Sequence, residues 1–549
     1  MNKREGITLI ALVITIIVLL ILAGVVINLT INSEGLFSKA NNATEQWHNA
    51  VESEKATIGD LLNTINSNTE KPNAPKMVTG MTPIKFTEPT EENEGTTVET
   101  NANDTNWYHY GEKKWANSKT EDGSMWVWIP RYAYKINNAT KTFDVVFLIG
   151  TTDTYYDTEG KLQTAKRQTT ADEVVDTTTG YTVHPAFTNE TSINYANGGW
   201  DKELEGIWVS KFEAGYASGN NTAPVKASNV NYSQTTVWAN KVETGTGADG
   251  VMPARNWLDG EYGSTTTSIK YPTFQGTTYA MNYINHNDSY NIAKALTDSG
   301  NIYGLSTDAN SHLMKNSEWG AVSYLSQSKY GLNGTNIYIN NVNLNSSTTS
   351  VYALTGCSGA TENAGSNVTT INEINNKTAS NVNTWTQIHG QKASSTGTIY
   401  GIYDLSGGTY ERTSSYVANG NSNLRAYGAS IVYNGDTLKT TSTKYTTVYP
   451  HDSTSDNTGI TSNEANLNTA SIANYAKNTQ IYGDGIRETS TGGTGATSWY
   501  SDYCCFPSLS SPFSIRGGRL WDTSGAGLFS FYRTNGDSTC GNGFRAVVL

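Results

Sequence analysis

Residues 7–27 read ITLIALVITIIVLLILAGVVI, an apolar run that no charge interrupts. Twenty-one helical residues at about 1.5 Å each match a hydrocarbon core of roughly 30 Å, so the run predicts one membrane helix. Beyond it, Leu36, Phe37, Trp47, Val51, Ile58, Leu61, Leu62 and Ile65 recur at mostly helical spacing, which extends the helical prediction to residue 66. The pattern then lapses. Residues 67–105 carry Pro72, Pro75, Pro83 and Pro89 with an acidic run at Glu88–Glu94, and predict an extended linker with a short strand near Ile84–Phe86. From residue 106 the texture is that of a large folded head. Met125–Ile136, MWVWIPRYAYKI, alternates as a strand does, and Ile207–Ala217 predicts another. The stretch around NSEWGAVSYLS predicts a helix capped by Asn316 or Ser317, with Trp319, Val322 and Leu325 on one face. Residues 277–296 are a weaker helical case. Three stretches poor in apolar residues, about 150–200, 340–385 and 415–475, are expected to be surface insertions or small β-subdomains. The fold class expected from these patterns is α+β.

Composition narrows the function classes. Of 549 residues only 16% are charged, against about 25% in ordinary globular chains, and the net charge is −12. Such a chain lacks the positive field that duplex nucleic acid requires, so no nucleic-acid partner is expected. With 33 Tyr and 13 Trp it is too aromatic for global disorder. Four Cys cannot staple 549 residues. The seven His are scattered without metal-site spacing, so no metal and no cofactor are expected.

The apolar run is preceded by Lys3 and Arg4, which orient the head outward. A plain signal anchor accounts for this much. Lys3-Arg4-Glu5-Gly6 followed by Ile7-Thr8-Leu9-Ile10 also resembles a type IV prepilin leader (residues 1–6). That resemblance implies cleavage by a prepilin peptidase after Gly6 and methylation of Ile7. It implies pilus subunits as partners, membrane attachment through residues 7–27, and residues 7–66 as a pilin-like helix and stalk. Main pilins usually carry Glu at the fifth mature position, and here it is Ala11. A tip or minor-pilin role tolerates that change, and so does an ordinary membrane-proximal stalk.

Four segments of the head stand in a telling order. Trp126-Val127-Trp128-Ile129-Pro130 comes first, then Asn316-Ser317-Glu318-Trp319. Tyr400–Glu411 (YGIYDLSGGTYE) follows, and Ile515-Arg516-Gly517-Gly518 with the terminal Gly543-Phe544-Arg545 comes last. This order resembles the formylglycine-generating-enzyme-like branch of the C-type lectin fold. The resemblance implies a single domain over residues 106–549 with long polar insertions and chain ends that meet in one sheet. Arg516 and Arg545 are expected to anchor loops rather than do chemistry. Oxidase members of that family place a copper-binding Cys pair shortly after R-G-G. Here Arg519–Ala526 (RLWDTSGA) contains no Cys, so no enzymatic activity is expected.

Residues 498–549 alternate a regular frame with side chains of every kind. The varied positions are Tyr503, Cys504, Cys505, Arg519, Leu520, Trp521, Asp522, Ser530, Tyr532, Arg533, Thr534, Asp537, Ser538 and Thr539. This texture resembles variable proteins of diversity-generating retroelements, whose adenine-rich codons mutate to a menu that fits the set except Trp521. An ordinary loop-and-strand end remains the other reading. Under the resemblance these residues bind a ligand, with Tyr and Trp as rigid anchors and Arg as polar reach. The expected protein is a pilin-like adhesin or receptor-binding protein on a bacterial cell surface. Its ligand would be a protein or glycan on another cell, a phage or a host. A structural minor pilin and a surface enzyme on the same fold are the alternatives.

Overall fold

A computed structural model describes residues 9–31, 43–51, 53–54, 72–168, 175–189, 198–215, 272–276, 284–340, 384–449, 483–486, 498–519, 522–537 and 541–549, with a few isolated positions between. The architecture is α+β. The chain divides into two compact units, residues 1–69 with 158–160, and the remainder.

The described residues of the first unit before residue 70 are helical. Helix α1 runs Leu9–Ile31, 23 residues without a charge. Its side chains are described over residues 12–26, all exposed, and that stretch is shorter than a span. Among the described residues, no helix is long and apolar enough to cross a membrane. Residues 43–51 are helical as well. Gly6 and Ile7 lie outside the described residues.

The second unit is built on a seven-stranded sheet. Its strands are β1 (Thr82–Phe86), β2 (Thr97–Glu99), β3 (Asn117–Lys119), β4 (Met125–Pro130), β8 (Gly206–Ser210), β9 (Ser311–Leu313) and β15 (Ala546–Val548). The order is β9-β15-β8-β4-β3-β1-β2, antiparallel throughout. Alternation in β4 explains why this sheet is central. Trp126 and Trp128 join Trp208 in one apolar cluster, while Val127 and Ile129 join Ile207, Val209 and Val547 in another. Both faces of β4 and β8 are therefore covered, which accounts for their nearly continuous apolar runs. The last strand pairs Val548 with Trp208 of β8, one strand away from β4.

The boundary of the expected linker is corrected. Residues 82–99 supply β1 and β2, with Ile84 fully buried and Phe86 nearly so. Pro83 is tolerated because neighbouring residues carry the ladder, and Ile84 and Phe86 pack with Trp385, Ile399 and Tyr400.

A three-stranded sheet of β5 (Tyr132–Asn137), β6 (Thr142–Phe147) and β7 (Thr182–Val183) lies in order β6-β5-β7. Helix α2 spans His286–Lys294 and α3 spans Asn316–Ser326. The cap of α3 is one residue earlier than expected. Lys315 is the N-cap, and the Glu318 carboxylate accepts from its backbone N–H at 2.8 Å. Glu318 also bonds His312 at 2.8 Å, fully buried. Burial raises the Glu318 carboxyl, but His312 and Lys315 outweigh it and hold the group below its ordinary value.

The second large sheet carries the C-terminal region. It comprises β10 (Tyr410–Val417), β11 (Thr447–Tyr449), β12 (Phe513–Arg516), β13 (Phe531–Thr534) and β14 (Asn542–Phe544). The order is β11-β10-β12-β13, with β14 parallel to β10. Helix α4, Ser422–Val432, follows β10. The polar stretch 415–475 is thus partly framework, and 150–200 holds a hairpin of Thr154–Tyr156 with Leu162–Thr164 as well as β7. Most of 340–385 lies outside the described residues.

Candidate ligand-binding site

The site is assembled around β10, because β12 and β14 both register on its first residues. Glu411 faces Arg516 and Gly543, and Arg412 faces Ile515 and Phe544. Arg545 locks this corner. It meets Glu411 through Nε–Oε2 at 2.8 Å and Nη2–Oε1 at 2.5 Å, and donates to the carbonyls of Ser210 (2.6 Å) and Tyr403 (2.8 Å). Arg516 donates to the Asp484 carbonyl at 3.1 Å and packs over the Trp319 ring. Both arginines anchor loops, as their motifs led us to expect. Burial pushes the Glu411 carboxyl up to about 7, with Arg545 opposing.

The R-G-G turn projects the following loop from this corner. Gly518 has φ 79°, and a Cβ there would stand 2.6 Å from the Ala526 Cα. Only glycine fits so close an approach at a left-handed angle. The returning segment 525–529 rests on Asp502, whose Oδ2 accepts from Phe529 N–H at 2.8 Å. Burial pushes the Asp502 carboxyl well above the carboxylate range. Tyr503 N–H then donates to Gly525 O, and Cys505 N–H to Phe531 O, so residues 502–505 run alongside β13.

Along the wall of this frame, three tyrosines and one guanidinium form a stack whose inner member, Tyr410, is buried and whose other members are partly exposed. Tyr503 and Tyr532 are 5.6 Å apart, Tyr532 and Tyr410 are 5.8 Å apart, and Arg519 lies 5.1 Å over Tyr410. Arg519 also forks onto Asp522, with Nη2–Oδ1 at 3.0 Å, and Asp522 Oδ2 accepts from Arg519 N–H at 2.8 Å. Burial, and then the Asp522 charge, push the Tyr410 hydroxyl well above its usual value. Each ring pair adds about 0.5–1.5 kcal/mol beyond burial, so the stack is set before any ligand arrives. Beside it opens a cleft of about 380 Å³, lined by Tyr410, Asn423, Ser510, Ser511, Ile515, Arg519, Tyr532, Arg533, Thr534, Asn535, Asp537, Gly541 and Asn542. No protein-family model and no curated protein matches this chain. The site therefore has to be read from its own geometry.

Of the residues expected to bind ligand, Arg519, Tyr532, Arg533, Thr534 and Asp537 line the cleft, and Tyr503 and Asp522 adjoin it. Three expectations are corrected. Cys504 and Cys505 are 0% exposed, not displayed. Cys504 bridges to Phe531 and packs with Val417, Tyr449, Ile486 and Phe506, so the pair belongs to the frame. Ser530 is also fully buried, because its N–H folds back onto Gly527 O. Thr534 reaches the cleft wall but is mostly buried, its Oγ1 accepting from Gly536 N–H at 3.1 Å. Leu520, Trp521, Ser538 and Thr539 lie outside the described residues.

Sequence reasoning missed the opposite rim. Ser510 and Ser511 line the cleft, and the neighbouring Leu509 is 52% exposed. Helix α4 and the turn before it hold this loop, since Asn423 Nδ2 donates to Ser510 O at 2.8 Å and Asn419 Nδ2 to Leu509 O at 3.0 Å. A Leu between three serines and two prolines was the available signal. Among the described residues, no group of three or more His, Cys, Asp or Glu is placed to hold a metal ion.

Proposed function

We propose that this chain is a pilin-like surface adhesin or receptor-binding protein whose C-terminal face grips a macromolecular ligand. The observation that carries the reading is the preset stack of Tyr503, Tyr532 and Tyr410 with Arg519, standing beside an open cleft on a strand pair. Tyrosine and arginine on a rigid frame are the residue types that concentrate binding energy. A fold of the C-type lectin, formylglycine-generating-enzyme-like kind is supported by the motif order and by the last strand lying one strand away from β4. Anchoring in the membrane, with the head outside the cell, is supported by the uncharged run at residues 7–27 behind Lys3 and Arg4. Processing after Gly6, to expose Ile7 for assembly into a pilus, rests on the leader alone. Binding is preferred over catalysis because no Cys stands in the segment after Gly518 that carries the thiols of the oxidases. Retroelement diversification rests on the mixed side chains that surround the cleft.

The test is adhesion by cells displaying the full chain to a panel of microbial and host-cell surfaces. Tyr532→Ala removes the centre of the stack and should weaken binding by about 2 kcal/mol, roughly 30-fold, while the head stays folded. Adhesion that Tyr532→Ala leaves intact would overturn the reading. A reverse-transcriptase gene beside a near-copy of the 3′ end, differing only at adenines, is the check on diversification.

A further inference from the structure

We infer that the cleft receives the carboxylate of an Asp or Glu side chain from a protein ligand, and that Arg533 is the residue that binds it. This inference rests on the binding reading proposed above and names the chemistry of its ligand.

The charges of the cleft lead to it. Three ionised residues line it: Arg519, Arg533 and Asp537. Arg519 is committed to Asp522. The backbone carbonyl of Asp537 takes a hydrogen bond from the buried Arg412, which fixes the Asn535–Asp537 turn. Arg533 has no such commitment among the described residues. Among the described residues its Nη1 is buried and has no hydrogen-bond partner. A buried donor left without an acceptor costs about 1–3 kcal/mol, and more when it is charged. β13 holds the Arg533 backbone opposite Ser514 of β12, so the guanidinium is presented from a fixed strand position. Arg533 nevertheless lines the cleft and is only partly buried, and the group that suits its remaining guanidinium donors best is a carboxylate, whose two oxygens match the guanidinium fork.

The rest of the cleft suits an anion. Its walls are hydroxyl and amide groups, with Ser511, Tyr532, Asn535 and Asn542 nearest in chemistry to a carboxylate's needs, and Asp537 is the one acidic side chain. About 380 Å³ holds one or two side chains, not a folded element. Leu509 decides between a protein and an acidic sugar. It stands half exposed on the rim, next to Ser510. An apolar knob near an arginine complements an acidic residue flanked by apolar ones on a protein loop. It gives nothing to a polyhydroxylated uronic acid.

The test selects from a random peptide library displayed on phage, with the full chain in detergent micelles as bait. Selected peptides should share an Asp or Glu. Changing that residue to Asn or Gln should weaken binding to the unmodified chain about tenfold or more. Arg533→Gln should weaken the acidic peptide by a similar factor and the amide peptide by less than about threefold, the signature of a direct pair. Arg533→Lys should restore part of the loss. Arg425→Gln, a change at an exposed arginine outside the cleft, should leave binding unchanged. An unaltered melting temperature for Arg533→Gln shows that the frame is intact. Peptides without a shared acid, an acid-to-amide change felt equally by both chains, or no selected peptide at all would each overturn the inference. So would binding of polygalacturonate oligosaccharides in place of peptides. If adhesion depends on Tyr532 while the acid-to-amide change is silent, the carboxylate inference fails and the adhesin reading stands. If acidic peptides bind through Arg533 but no surface is bound, the adhesin reading fails instead.

Discussion

Arg545→Met removes the cation that closes the C-terminal strand onto β10. Arg545 is 0% exposed and Glu411 is 1% exposed, and two of the four bonds made by the guanidinium go to that carboxylate. Removing one partner of a buried pair costs about 3–5 kcal/mol, because the remaining charge is left desolvated. Total stabilities are about 5–15 kcal/mol, so the change removes a third or more of a typical head's stability. Its pH dependence is the sharper test. Burial already raises the Glu411 carboxyl in the folded protein, to about 7 from an ordinary 4.5, against the pull of Arg545. A carboxyl raised on folding contributes stability that is fully present below its unfolded value and is lost as pH rises through the folded one. Without Arg545 the folded value rises further. At pH 5 Glu411 is then neutral, and the cost falls to that of the freed Ser210 and Tyr403 carbonyls, about 1–3 kcal/mol. At pH 8 it approaches the full figure. Urea unfolding of the full chain, followed by tryptophan fluorescence at both pH values, measures this. A cost below about 1 kcal/mol at pH 8, or a larger cost at pH 5 than at pH 8, would refute the reasoning. Glu411→Gln supplies the control, and its stability should vary less with pH than that of the unmodified chain.

Two further predictions concern the frame beneath the stack. Gly518→Ala should destabilise the head by about 1–3 kcal/mol and lower its melting temperature, since the new Cβ meets the Ala526 backbone at a positive φ. Asp502→Asn keeps an acceptor for Phe529 N–H but cannot ionise. Because burial raises Asp502 in the folded state, the unmodified chain loses stability as pH rises. Asp502→Asn should gain on it between pH 5 and pH 8 in the same urea assay.

The parts of this fold legible in the sequence are those where burial follows a period. The alternation of Trp126 to Pro130 is β4, and the apolar face of Trp319, Val322 and Leu325 is α3. The terminal Val547 and Val548 close the sheet. What misled was polarity without period. β10 reads YERTSSYV and is buried at all eight positions, because Thr413, Ser415 and Ser514 hydrogen-bond one another in the interior. Such a strand looks like surface until its partners are known. The proline-bearing stretch at residues 82–86 reads as a short strand, but as one inside a linker and not in the main sheet. Its two large apolar residues, Ile84 and Phe86, are enough to seat it once Tyr400 and Trp385 stand opposite.

The division between frame and display near the C-terminus follows from the same pairing and limits what the face can vary. Along β13, Phe531 is buried in the frame while Tyr532, Arg533 and the mostly buried Thr534 reach the cleft. Residues 502–505 are tied to this strand by backbone bonds, so their orientation is inherited from it: Tyr503 stacks outside and Cys504 packs inside. An ionisable side chain at 504 or 505 would be desolvated among aromatic and aliphatic groups, at a cost of several kcal/mol. Tyr503, Arg519, Asp522, Tyr532, Arg533 and Asp537 are partly exposed, so a polar side chain at any of them keeps some contact with water. A surface altered at those six positions keeps Asp502, Gly518, Arg516 and Arg545 beneath it, and with them the geometry that sets the cleft. Specificity can then change residue by residue without unfolding the head.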